Sequence, residues 1–284
     1  MIIIDKKDLP LDHGYYRTIS PIYKKYLGKC KLSTHDLPNN KFGWVKRIFL
    51  WAMQIAKFER VNEEPDIQSL KKAGFKRGIV IWIPYSRTDI PAGWKKLRLN
   101  SHFTTTGFSV VEDENYFKKW KERSRRARKK FLANPDMRIE LVDTATFQKY
   151  YKESKISQPY KSSFVKYHES ISSFDEKKEV KNMICFHNEK VVAGLAVINY
   201  NGNSTAHLVS FLTHEWKSLQ AGTWLFDYRF KMSLENGIKY VNFDHLKDKH
   251  MTSDQQGYTD FKENFMDYKV IFKEAYFKFV GKND

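Results

Sequence analysis

Cysteine is nearly absent from this chain. Cys30 and Cys185 are the only two in 284 residues, far apart and without metal-ligand spacing. That excludes a disulfide-stapled scaffold and fits free thiols in a reducing compartment. No apolar run approaches the ~18–20 residues of a membrane-spanning helix. The chain opens Met-Ile-Ile-Ile-Asp, with no basic stretch before an apolar core. A signal peptide is therefore not expected, and a cytoplasmic location is. Solenoid repeats, low-complexity tracts, a Walker-type glycine loop, clustered metal ligands and a defensible Ser-His-Asp arrangement are all missing. Acidic residues are in deficit, 33 Asp and Glu against 50 Lys and Arg, for a formal charge of +17. Partners should be anionic: nucleic acid, an anionic membrane face or a phosphorylated substrate. Charge does not choose among these, nor against a generally solvated basic surface.

What is present is a well-furnished core. Aromatic residues make up 15% of the chain, which suits a packed globule, and the length fits one large domain or two small ones. In the first part, Ile2–Ile4 and Gly78–Pro84 read as buried strands because they are short, β-branched and bounded by breakers. Between them, Val45, Ile48, Trp51, Ala52, Ile55 and Phe58 recur at helical spacing. They predict an amphipathic helix over Trp44–Phe58, packed on its own sheet or turning Lys46, Arg47 and Lys57 to a membrane surface. Pro84 to Ser101 is loop-like, and Thr104–Val111 is a strand. A helix over 115–132 begins acidic and ends basic, as the helix dipole prefers, and Asn134-Pro135 stops it. A domain boundary is expected near Glu112.

The second part has a clear order. Arg138–Val142 is a strand, Asp143 caps a helix over Thr144–Lys152, and a second helix covers Ser162–Ser172. Three strands follow: Val180–His187, Val191–Tyr200 and Ser204–Phe211. Asn188-Glu-Lys190 and Asn201-Gly202-Asn203 are their turns. A helix over Gly222–Glu235 ends at Asn236-Gly237. Then come the strand Ile238–Phe243, a short helix Tyr258–Asn264, and closing strands Lys269–Phe272 and Ala275–Val280.

This order resembles the GNAT acyltransferase plan. Four details resemble its FemABX branch, the peptidoglycan interpeptide-bridge aminoacyltransferases. They are the basic helix 115–132, the strand segment Val191-Val-Ala-Gly-Leu-Ala196, the Leu219-Gln-Ala-Gly-Thr-Trp224 to Glu235-Asn-Gly-Ile-Lys-Tyr240 helix, and Phe261-Lys262-Glu-Asn-Phe265. The resemblance covers about residues 104–280. It implies an α/β (α+β) GNAT-like mixed sheet flanked by helices. Residues 1–112 would be a reduced N-terminal GNAT-like half, and 113–284 a C-terminal GNAT-like domain that includes the basic helix.

The resemblance also proposes a site. Two central strands would diverge to receive the donor carbonyl, and the next helix would offer its free N–H groups to a phosphate. Those groups belong to Gln220, Ala221, Gly222 and Thr223, with Lys217 just before; Phe261 and Phe265 complete the donor-binding set. The alternative for Ala221-Gly222 is simple packing of the helix start. Acyl-CoA enzymes of the superfamily carry a more glycine-rich turn here, whereas this chain has Lys217-Ser-Leu-Gln220-Ala-Gly222. Lys262 is the foremost catalytic candidate, because a fixed ammonium can stabilise an oxyanion. Asp244 and His245 follow a strand and can take a proton from an attacking amine. Asp227 and Tyr228 are weaker candidates. Nine of the thirteen residues 118–130 are Lys or Arg. Arg123, Arg125, Arg126, Arg128 and Lys129 suit phosphate backbones, the alternative being a solvated charged helix.

The first reading is a FemABX-like transferase carrying an aminoacyl group from aminoacyl-tRNA to an amine, on a lipid-linked peptidoglycan precursor, with peripheral contact at the inner membrane face. No cofactor is expected. The alternatives are an N-acyltransferase with acyl-CoA as co-substrate, and a non-catalytic GNAT-like module that binds RNA or membrane.

Overall fold

The computed structural model describes residues 2–4, 10, 15–48, 53–85, 89–97, 105–154, 158–213, 219–246, 259–272 and 275–281. Its early elements are β1 (Ile2–Ile4), α1 (Tyr16–Ile19), α2 (Pro21–Lys29), β2 (Ser33–Asp36), β3 (Phe42–Ile48), β4 (Met53–Glu59), α3 (Ile67–Lys72), β5 (Gly78–Ile83) and β6 (Lys95–Lys96). Then come β7 (Thr105–Val110), a 3-10 turn Tyr116–Lys119, α4 (Glu122–Leu132), β8 (Met137–Val142), α5 (Thr144–Glu153) and α6 (Gln158–Ser173). Last are β9 (Val180–His187), β10 (Lys190–Tyr200), β11 (Ser204–Leu212), α7 (Ala221–Glu235), β12 (Tyr240–His245), β13 (Tyr268–Ile271) and β14 (Tyr276–Val280).

Turn chemistry fixes the central meander. Asn188 and Glu189 take φ of 46° and 63°, and Lys190 pairs with His187. This two-residue loop with both φ positive has the twist that a hairpin needs. Asn201 (φ 48°) and Gly202 (φ 75°) turn β10 into β11. Asp143 accepts from the Thr146 amide at 2.7 Å and opens α5, as its sequence position predicts. Gly237, at φ 66°, closes α7. Its N–H donates to Leu234 O at 3.1 Å, and Ile238 N–H donates to Ser233 O at 2.8 Å.

The chain divides into two compact units. One contains Met1–Ile2 and Thr106–Lys269; the other contains Ile3–Thr105 and Val270–Asp284. The boundary therefore falls at Thr105/Thr106 rather than at Glu112. The closing strand β14 lies in the unit of residues 3–105, not in the C-terminal one. Each unit has a mixed sheet, with orders β1-β13-β7-β12-β11-β10-β9-β8 and β2-β3-β4-β5-β14-β6. The two follow one plan. Antiparallel strands (β9-β10-β11; β2-β3-β4) lead through a helix (α7; α3) to a parallel partner (β12; β5). An antiparallel strand from a distant part of the chain (β7; β14) then closes it. Together they make the α+β, GNAT-like fold that the sequence resemblance implies.

Two expected helices are corrected. Residues 44–48 belong to β3 and 53–58 to β4, paired antiparallel, not to one helix; Trp51 and Ala52 lie outside the described residues. Within β4, buried Ala56 and Phe58 alternate with half-buried Ile55, Lys57 and Glu59, a period of two. The parallel partner β5 supplies ladder bonds across Gln54–Glu59, a long-range gain that helical spacing cannot reveal. The helix expected over 115–132 is broken at Trp120, whose ψ is 155°. Extending the chain there buries the indole edge-on to Phe230 (5.3 Å) and Phe265 (5.0 Å). Cys185 is buried, which pushes its thiol up to about 12, while Cys30 is exposed; both are free.

Helices α5 and α6 cover one face of the β8–β11 meander through Phe211. Its ring packs edge-on to Phe147 (5.5 Å) and Tyr151 (5.9 Å), and it lies over Gly194. A Cβ at residue 194 would sit 2.1 Å from that ring. Gly194→Ala should therefore cost about 1–3 kcal/mol, the usual penalty of overpacking. Denaturant unfolding should show the loss, and Gly194→Ala with Phe211→Leu should recover part of it. An unchanged midpoint in the single variant would show that the ring does not seat α5.

Candidate functional site

The sheet of the Thr106–Lys269 unit forks. β11 and β12 run parallel but share only three rungs: Ser204↔Tyr240, Thr205↔Val241 and Ala206↔Asn242. Beyond them the two strands continue to Leu212 and His245 without pairing with each other. The corresponding pair in the other unit, β4 and β5, stays paired over six rungs, from Gln54↔Gly78 to Glu59↔Ile83. Bulges bend both prongs of the fork. Against β10, Val209 faces Ala196 while His207 faces Val197, so Leu208 is the extra residue. Against β7, Asn242 faces Phe108 while Asp244 faces Gly107, so Phe243 is extra. Both bulges begin just past the last parallel rung.

Buried polar groups gather at this fork. Arg229 of α7 is fully buried, and its Nη2 donates to Thr205 O (2.9 Å) and Asn242 O (2.8 Å), one carbonyl from each prong. Asn242 Nδ2 donates to the Tyr200 hydroxyl at 3.2 Å. The Asp244 amide donates to Asn242 Oδ1 at 2.7 Å, and the Asp244 carbonyl accepts from Thr106 Oγ1 at 2.7 Å. These bonds hold Asp244 at φ 59°, in the left-handed region that few non-glycine residues enter. His207 lies close enough to feel two cations. Burial first, then the charges of Lys262 and Arg229, hold its ring well below its ordinary value, so it stays neutral.

Lys262 and Asp244, both expected at the site, are brought to the same prong. Lys262 is buried rather than a surface lysine, and its Nζ donates at 2.7 Å to the carbonyl of Phe243, the bulge residue before Asp244. Helical turn 259–262 carries it, seated by its neighbours. Phe261 packs on Phe226 (5.4 Å) and Phe265 (4.9 Å), and Phe265 stacks on Phe226 at 4.8 Å. Phe265 is fully buried, so it anchors the turn from within the core. His245 pairs with Thr106 through its backbone; its side chain lies outside the described residues.

The expected donor-binding turn is placed as follows. Gln220, at φ 56°, precedes α7 and accepts from the Thr223 amide at 2.9 Å. Ala221 and Thr223 are buried. Gly222 lies under the Phe261 ring, and a Cβ there would come within 3.0 Å of it. Its missing side chain thus admits Phe261. Lys217 lies outside the described residues.

The basic helix separates into two kinds of residue. Ser124, Ala127 and Phe131 form its buried stripe, and Phe131 stacks on Trp224 at 5.1 Å. Arg123, Arg125, Arg126 and Lys129 are exposed. Arg126 pairs with Glu122 one turn away at 2.8 Å. Arg128 is different: its Nε donates to Asp227 Oδ1 at 2.6 Å, and its guanidinium lies 4.0 Å from the centre of the Phe117 ring. Tyr116 donates to the same carboxylate oxygen at 3.0 Å. Asp227 is thereby a clasp between α7 and α4, and Arg128 is spent inside the protein.

Sequence reasoning missed Arg229, His207, Tyr200 and Asn242. Arg229 carried a usable signal: it is a charge set among Leu225, Phe226, Phe230 and Met232 on the buried side of the helix. His207 sits in an alternating strand and carried none.

No family model matches the chain, and no curated protein matches it. Solved structures do. FemX superposes with a TM-score of 0.71 at 10% identity, covering 100% of this chain and 98% of that one. A conserved protein of unknown function from Bacteroides thetaiotaomicron gives 0.57 at 12% identity, with 92% and 90% covered. L-PGS from Bacillus licheniformis gives 0.52 at 10% identity, with 89% and 85% covered. At these identities the likeness is one of fold, and the fold is FemX-like.

The depressed His207 makes stability depend on pH in a defined sense. Its folded pKa lies below its unfolded value of about 6.5, so the unfolded chain binds more protons below that pH. Stability should therefore fall as pH drops from about 7 to about 5. His168, lowered by burial, pulls the same way. His207→Gln should make this slope shallower in urea unfolding measured across the range. Parallel slopes for variant and parent would show that His207 titrates normally.

Proposed function

We propose that this chain is an aminoacyltransferase that moves an aminoacyl group from the ester of aminoacyl-tRNA to an amine. The observation that carries the reading is the fork. One unit leaves its parallel pair open after three rungs, and it sets a buried lysine, a buried arginine and a half-buried histidine around the opening. A FemX-like fold supports it, as does the exposed basic face of α4.

Ester aminolysis makes two demands on such a gap. The amine lone pair attacks the ester carbonyl, forming a C–N bond and an oxyanion. The intermediate then collapses, breaks the C–O bond and releases the terminal ribose hydroxyl of the tRNA. Lys262 supplies fixed positive charge for the oxyanion in a water-poor setting, where charge acts strongly. The attacking amine must also lose a proton, which the leaving hydroxyl finally needs. Asp244 and neutral His207, each beside a bulge of the fork, are the acceptors we assign to it. The acceptor we propose is an amine on a lipid-linked peptidoglycan precursor. Acyl-CoA as donor is disfavoured, because the Phe261 ring fills the space at Gly222 where a pyrophosphate would approach the helix amides.

Two measurements test the reading. Lys262→Met should lower aminoacyl transfer about 10²–10³-fold, while circular dichroism stays that of the parent. Lys262→Arg should retain part of the activity. Equal transfer by parent and Lys262→Met would remove the lysine from the chemistry. Separately, Arg125→Glu with Lys129→Glu should weaken tRNA binding and flatten its dependence on salt, since fewer counterions are released. Acyl-CoA consumed at rates untouched by these reversals, with no tRNA bound, would replace the donor.

A further inference from the structure

The unit of residues 3–105 and 270–284 has a sheet with one conventional face and one unusual one. Ala56, Phe58, Val80, Trp82, Tyr276 and Val280 are buried together on the first. Strand register defines the other. One row across four strands is Lys46–Ile55–Ile79–Phe279, and the next is Trp44–Lys57–Ile81–Phe277–Lys95. Paired residues share a side, so these nine side chains stand on one surface. An antiparallel-edged sheet normally turns polar residues outward on its second face. Here the outward positions are isoleucine and phenylalanine.

Among the described residues, Arg17, Thr18 and Tyr23 stand beside its Trp44–Lys57 end, and its Phe279 end is open. Phe279 is 60% exposed, and Ile55, Ile79, Ile81 and Phe277 are each only partly buried. Phe277 and Phe279 pack edge to face at 5.4 Å and so form a preassembled apolar ridge. Lys46 and Lys95, both exposed, flank the rows at opposite ends. Lys57 lies between and pairs with Glu59 at 3.3 Å. Neither row contains an acidic residue. Lone exposed hydrophobics need no explanation, but a contiguous apolar patch rimmed by one sign of charge marks an interaction surface. Aromatic and branched apolar groups bordered by lysines match a lipid interface, where the rings enter the headgroup boundary and the ammonium groups meet anionic headgroups.

We propose that this sheet face docks on an anionic lipid surface, with Phe277 and Phe279 entering it and Lys46 and Lys95 meeting its headgroups. The proposal stands independently of the transfer chemistry. It recasts an expectation made for a helix over 44–58: Lys46 and Lys57 do share a surface with Ile55, but through strand pairing.

Vesicle co-sedimentation tests it. The full chain should bind vesicles of phosphatidylglycerol and phosphatidylcholine in equal parts, and bind pure phosphatidylcholine far less. Phe279→Asp should reduce binding about tenfold or more, from the lost burial of one aromatic side chain. Phe279→Ser, a milder change at an exposed position, should act in the same direction if the aspartate variant fails to fold. Lys46→Glu and Lys95→Glu should each weaken binding to the anionic vesicles about fivefold. Unchanged binding by a folded Phe279 variant would overturn the proposal, because the general basic charge would then explain attachment. So would a stable dimer in the absence of vesicles that Phe279→Asp dissociates, since a second copy would then cover this face.

Discussion

The open site depends on one buried guanidinium. Where two parallel strands part, their carbonyls lose backbone donors, and a buried carbonyl left without one is costly. Arg229 donates to one carbonyl on each strand, Thr205 and Asn242, within the last two rungs before the strands part. It sits on α7, the helix that links those same strands, so helix position and fork geometry are tied together. Burying the charge has its own cost, offset by these bonds and by the Phe243 ring 5.7 Å away. Without such a donor, the economical arrangement is the one in the other unit, where β4 and β5 remain paired throughout. The same side chain ties the prongs together and charges the gap, and it adds to the burial and the Lys262 charge that keep His207 neutral.

Aromatic packing then carries position outward from the fork. Phe226 of α7 stacks on Phe243 of β12 at 5.6 Å, and on Phe265 beyond the helical turn 259–262. Phe265 in turn meets Trp120 at the head of α4. The turn bearing Lys262 is thus referenced to the helix, the strand and the basic segment at once. A lysine on so short a turn would otherwise have wide freedom. Here its ammonium is fixed on the Phe243 carbonyl, at the bulge that also turns Asp244.

Local signals carried much of this architecture. Asn188-Glu189, Asn201-Gly202, Asp143 and Gly237 each act through their own backbone, so the meander and helix ends were legible in sequence. The fork's location followed from motif order, and the placement of Lys262 and Asp244 beside one prong from their positions in that order. What stayed hidden depends on distant partners. The segment 44–58 satisfies helical spacing, and only pairing with distant β5 and with β2 shows residues 44–48 and 53–58 as strands. Trp120 breaks a good helix because Phe230 and Phe265 wait for its ring. Arg128 looked like four exposed neighbours until Asp227, 99 residues later, claimed it. His207 acquires its character from burial and then from Lys262 and Arg229, which no nearby residue announces.

The chain path gives the two units different histories. β14 lies between β5 and β6, in the interior of its sheet, yet it follows both by the whole length of the forked unit. Residues 3–105 therefore leave the ribosome ahead of the forked unit but lack an inner strand until residues 276–280 follow. The forked unit, encoded between them, has its strands β7 to β13 available earlier. The earlier-made unit is thus completed after the later-made one, and during synthesis it must wait with the edges of β5 and β6 unpaired. Such edges invite wrong partners. The lysines of β6 are charges of the kind that deter them, and a chaperone that shields nascent strands would act on residues 3–105 long after they were made.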